Sequence, residues 1–65
     1  MFNIGDRVRV KKLCYTPENQ EEAGLLSKEG SIIKIINGFY PYYVDIPFGD
    51  SKHTIWTEEE LEKIQ

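Results

Sequence analysis

Cys14 and His53 are the only thiol and the only imidazole in the sequence, so any nucleophile activated by a histidine must be built from this pair. Such a pair also needs a third group to orient the histidine and donors to receive an oxyanion, and no spacing in the chain provides them. His53 with scattered carboxylates lacks the ligand spacing of a metal centre. Glu58, Glu59 and Glu60 come closest to paired acid and base carboxylates. They follow Thr57 in a Thr-x-x-Glu pattern, however, and acidic groups there cap a helix start and meet its dipole favourably. The chemistry expected is therefore recognition rather than catalysis, with no enzyme activity, metal or cofactor.

Two sets of side chains suit recognition. Phe39, Tyr40, Tyr42, Tyr43, Phe48 and Trp56 crowd into residues 39–56, and rings with a polar tip serve peptide binding, base stacking or contact between copies of a chain. Tyr42 and Val44 on a strand point opposite to Tyr43 and Asp45, which predicts one tyrosine face at the surface. The plainer use of the same rings is to cover a core too small to enclose them. The second set, Arg7, Arg9 and Lys11, alternates with Val8 and Val10 and forms either an anion subsite or the solvated side of a strand. The candidate binding residues are thus Arg7, Arg9, Lys11, Tyr40, Tyr42, Tyr43 and Trp56.

The elements that must position them are short. Arg7 to Lys12 has the period of a half-buried strand. Residues 14–28 lose that period and read as a long surface loop, with a helix-start signal at Thr16-Pro17-Glu18, a stop at Gly24, and one or two helical turns predicted over 17–23. Leu25 and Leu26 would bring the loop back to the core. Ile32, Ile33, Ile35 and Ile36 break strict alternation around Lys34, which predicts a bulge or a strand buried on both faces. Asn37-Gly38 signals a tight turn into a strand over 42–46, and Pro47-Phe48-Gly49-Asp50 a second turn into a strand over 52–56. The Thr57 capping pattern predicts one helical turn, of 3₁₀ type, before a closing strand over 61–64. Val8, Val10, Ile32, Ile35, Val44, Leu61 and Ile64 form the predicted core, with Arg7, Arg9 and Glu58 to Glu62 on the surface.

At 65 residues the chain is one domain, 1–65, near the size at which a core can hold a chain folded unaided. A lone cysteine permits no internal disulfide, which fits a reducing, cytoplasmic setting. Asp6 and Arg7 interrupt the N-terminus before an apolar run can develop, and no stretch has the length of a membrane span. The net charge of −3 is unevenly spread. Arg7, Arg9, Lys11 and Lys12 against Asp6 give +3 to residues 1–12; Lys28 against Glu18, Glu21, Glu22 and Glu29 gives −3 to residues 13–29. Residues 30–52 balance, and Lys63 against four glutamates gives −3 to residues 53–65. A general grip on a polyanion needs a dominant basic field, and this chain has only a local one.

The opening Gly5-Asp6-x-Val8-x-Val10, the Gly30-x-Ile32-x-x-Ile35 stretch, the Tyr42-x-Val44 return and the closing Glu59-Glu60-Leu61-Glu62 together resemble the KOW/SH3-like superfamily, including small barrel proteins of bacteria and their phages. The resemblance spans most of the chain and implies an all-β fold: a small five-stranded SH3-like barrel with a long first loop and a single helical turn before the last strand. Members of that superfamily serve many activities, so the fold does not select one. Unlike the basic ribosomal KOW modules, this chain is acidic. It also lacks the aromatic and acidic run and the tryptophan pair of SH3 domains that bind proline-rich peptides. The function expected first is a non-catalytic binding module, a small bacterial or phage accessory protein acting on a partner protein. The alternatives are nucleic-acid binding, by the basic first strand with Lys12, Lys34 and the tyrosine-rich hairpin, and sequestration of a small anionic ligand such as a nucleotide at a homo-oligomer interface.

Overall fold

Val8 and Val10 are fully buried while Arg7 and Arg9 are half-exposed, so the alternation in the sequence becomes strand β1, Arg7–Val10. The structure, a computed structural model, describes residues 1–64; Gln65, the last residue of the predicted domain, lies outside them. The other elements are helix α1 (Gln20–Ala23), strands β2 (Glu29–Ile35), β3 (Tyr42–Val44) and β4 (Thr54–Trp56), a 3₁₀ turn (Glu58–Glu60) and strand β5 (Leu61–Lys63). All strand pairings are antiparallel and the order across the sheet is β4-β3-β2-β1-β5.

β2 is the shared strand. Its first residues, Glu29 to Ser31, pair with β1, and Ile32 to Ile35 pair with β3. The change of partner coincides with a register shift between Ile32 and Lys34, the predicted bulge. An extra residue bends a strand and increases its twist, so the two halves of the sheet fold towards one core. Gly30 makes the bend possible. A Cβ there would lie 2.5 Å from Asp45 Oδ1 and 2.8 Å from Val44 Cγ1, and the space is taken instead by the end of β3, where Asp45 accepts from Ser31 N at 2.6 Å.

The core comprises Phe2, Val8, Val10, Leu25, Ile32, Tyr42, Val44, Ile46, Trp56 and Leu61. Two of its predicted members do not belong to it. Ile35 is 41% exposed and Ile64 only half-buried: Ile35 is the last residue of β2 and Ile64 follows the end of β5, where less of the sheet covers them. The core is completed by aromatic rings, with Tyr42 edge-on against Phe2 at 5.2 Å and Trp56 opposite Tyr42 in the register. Leu25 returns the loop to the core as predicted, but Leu26 stays exposed.

The helix in the long loop also starts later than its sequence signal. Asn19, not Thr16 to Glu18, is the N-cap: its side chain accepts from Glu22 N at 2.8 Å, while Glu22 Oε1 accepts from Glu18 N at 3.0 Å. The Asn19 cap satisfies one orphan donor of the helix and Glu22 holds the N–H of the residue before the cap, which together fix the start at Asn19; Gly24 closes the helix as expected. Asn37-Gly38 opens a wider connection than a two-residue turn, since Ile36 N donates to Pro41 O and Asn37 to Tyr40 protrude between them. Among the described residues no helix is long and apolar enough to cross a membrane.

Candidate functional site

The register decides which candidate residues reach the surface. Tyr43 lies opposite Lys34 on β2 and Ile55 on β4, and side chains directly opposite share a face, so this row lies on the outer side of the sheet. There Lys34 Nζ stands 5.5 Å from the centre of the Tyr43 ring, and the His53 ring stacks on it at 4.9 Å. Tyr42, Trp56, Val44 and Ile32 point to the other side. Tyr42 is 4% and Trp56 2% exposed, so neither ring has a free face for stacking, and both are core residues rather than the surface groups the sequence suggested.

The basic candidates are largely engaged within the sheet. Arg9 lies opposite Glu29 on β2 and Glu62 on β5, making the row Glu-Arg-Glu; its guanidinium is 2.9 Å from Glu62 and 3.7 Å from Glu29. Arg7 donates to Ser31 Oγ at 3.1 Å. Lys12 stands 3.8 Å from Glu59 and Lys63 3.8 Å from Asp6. Of the three predicted basic site residues, Lys11 is the one exposed without a side-chain bond among the described residues. Within residues 1–12, Arg9 and Lys12 are thus met in space by acids that are distant in sequence.

Two of the predicted residues line a groove: Tyr40, which is exposed, and Trp56, which is buried at its floor. This groove, about 410 Å³ in volume, runs between the first loop and β4, with Tyr15, Leu25, Tyr40, Phe48, Ile55 and Trp56 as its apolar wall. Glu22, Ser51, His53, Thr54 and Glu60 supply its polar groups. Burial pushes the Tyr15 phenol above its ordinary value, and the nearby carboxylates of Glu22 and Glu60, then Tyr40, push it further; a phenolate is disfavoured where negative charge already collects. Phe39, 80% exposed, packs edge-on against Tyr40 at 4.9 Å and lines a second groove with Cys14, Glu58 and Glu59. Cys14 and His53 therefore line different grooves. Among the described residues no three potential ligands cluster as a metal site.

Glu60 binds the groove's two walls together. It is 1% exposed, and its carboxylate accepts from Thr57 N at 2.9 Å, Thr57 Oγ1 at 3.0 Å and Cys14 N at 3.2 Å. Its backbone oxygen accepts from Lys11 N at 2.8 Å. The capping box foreseen in the sequence is present, but its glutamate is interior and not the surface group expected. The first loop crosses over the 3₁₀ turn and removes it from water, and three donors compensate the lost hydration. Glu58 is the exposed member: it accepts from the α-ammonium of Met1 at 3.0 Å and from the Tyr42 hydroxyl at 3.2 Å. The ammonium's hydrogen bond, then its charge, lowers the Glu58 carboxyl below the ordinary value.

Sequence reading missed Tyr15, Leu25, Phe48 and Ile55 as groove residues. The available signal was weak: Tyr15 and Leu25 are the bulky apolar members of an otherwise polar acidic loop, and only the fold brings them to β4. The chain matches no family model, and its comparison with curated proteins and with solved structures yields no match.

Proposed function

We propose that the protein is a non-catalytic binding module that receives a segment of a partner protein in the groove between the first loop and β4. The observation that carries this reading is the groove itself: six apolar or aromatic side chains converge on about 410 Å³, within the size range of ligand sites, and no Lys or Arg is among its lining residues. An SH3-like barrel is the scaffold we infer; support comes from the strand order, the long loop after β1 and the 3₁₀ turn before β5. A bacterial or phage accessory role in the cytoplasm belongs to the same proposal. Nucleic-acid binding is the weaker reading, since Arg9 is shared by two carboxylates and Tyr42 and Trp56 lack free faces.

The test is selection from a random-peptide library on the immobilised protein, followed by affinity measurement against Tyr40→Ser and Ile55→Ser. Both side chains are exposed, so the fold should survive either change. Selected peptides should lose at least about tenfold in affinity to each variant, roughly 1.4 kcal/mol. Failure to enrich any peptide, or enrichment indifferent to both variants, overturns the proposal. Binding of oligonucleotides at low salt with a steep loss on adding salt would put nucleic acid in its place.

A further inference from the structure

β4 lies at the end of the strand order and pairs only with β3, so one edge of its backbone has no strand partner among the described residues. Consecutive strand residues point to opposite faces, yet Thr54, Ile55 and Trp56 all line the groove. A groove that touches both faces of a strand must pass along its edge. β3 occupies the other edge, so the groove runs along the open one. Its far wall is the first loop, through Tyr15, Glu22 and Leu25. The indole N–H of Trp56 is already used, donating to Thr54 Oγ1 at 2.6 Å, which leaves the β4 backbone as a principal polar surface on that side.

The charges specify the occupant. Every groove residue comes from positions 15–60 and none from the basic segment 1–12. The first-loop wall comes from the segment 13–29, and His53 to Trp56 with Glu60 from the segment 53–65, each carrying −3, while Tyr40, Phe48 and Ser51 come from the balanced segment between them. The groove's carboxylates are Glu22 and the buried Glu60, no Lys or Arg lines it, and the two carboxylates add to burial in raising the Tyr15 phenol.

We propose that an extended segment of a partner protein, alternating apolar with Lys or Arg residues, docks as an added strand on the open edge of β4. Its apolar side chains enter the Tyr15, Leu25, Phe48 and Trp56 wall, and a cation faces Glu22. Strand addition draws affinity from main-chain hydrogen bonds and selectivity from pockets for alternate side chains. β4 spans about 10 Å at its three residues, so the recognised core is short. It also gives the exposed edge a use, since an unprotected edge invites indiscriminate pairing.

This inference rests on the groove being the binding site, and its test separates the two. Peptides selected on the protein are resynthesised with N-methyl groups at alternate residues in each of the two registers, and exchange of the β4 amides is followed with and without peptide. One N-methylated register should lose at least about tenfold in affinity and the other little, because only alternate N–H groups of an added strand face β4. The β4 amides on the open side should gain protection on binding. Glu22→Gln should weaken the peptides severalfold, and the selected sequences should alternate apolar with basic residues. If peptides bind and depend on Tyr40 but tolerate both methylation patterns, leave β4 exchange unchanged, or are proline-rich or acidic, strand addition is wrong while the binding reading stands. If no peptide is enriched, both fall.

Discussion

The β1-β5 half of the molecule and the β3-β4 half handle their surfaces in opposite ways. At β1 each strand charge meets a partner across the sheet: Arg9 sits between Glu29 and Glu62, and Arg7 bonds Ser31. At β4 the strand ends the sheet, Ile55 is exposed, and a groove of aromatic rings opens beside it. Both halves end in an edge strand, β5 and β4, but the first pairs its strand arginines internally, whereas the second leaves apolar surface beside its edge. Unmet surface of this kind marks an interaction site more reliably than charge does, and a basic stripe in the sequence can be electrostatically closed in the fold.

The contrast breaks most sharply at Glu60, which holds the two halves together. Glu60→Ala should cost about 2 to 3 kcal/mol in denaturant unfolding, because it empties a buried site and strips acceptors from the partly buried Thr57 N and Cys14 N. A loss under about 0.5 kcal/mol would mean that the first loop is not anchored there. Within the sheet, Val10→Ala should cost about 2 kcal/mol, whereas Ile35→Asp should cost under about 1 kcal/mol because Ile35 is exposed. Equal and severe losses would restore Ile35 to the core beside Tyr42, its partner across the sheet. The smallest effect is expected at Arg9: Arg9→Ala should change stability by about 0.5 kcal/mol, as half-exposed ion pairs contribute little, and should leave peptide affinity at the groove unchanged. A large drop in that affinity would extend the binding surface to β1 and erase the division between the halves.

Local patterns were legible wherever they are enforced by neighbours in sequence. The Val8 and Val10 alternation, the Gly24 stop, the bulge in the isoleucine run and the Thr57 capping box all appear at or beside their expected positions. Asn19 was missed because two start signals competed within four residues of one another and the asparagine cap prevailed. The groove was scarcely legible. Tyr40 and Trp56 were the predicted residues that line it, and Tyr15, Leu25, Phe48 and Ile55 come from three separate stretches of chain.

By itself the sequence determined that the chain would form short strands, where they would turn, and that Tyr42 and Tyr43 would part to opposite faces, since these follow from side-chain period and local hydrogen bonding. Which of those faces is the inside, whether Glu60 meets water, and whether Arg9 is free to bind an anion were decided only by tertiary structure. Each depends on what lies across the sheet or over the turn. Burial and charge pairing are properties of neighbours in space, and in this protein the deciding neighbours, Glu62 to Arg9 and Cys14 to Glu60, are far apart along the chain.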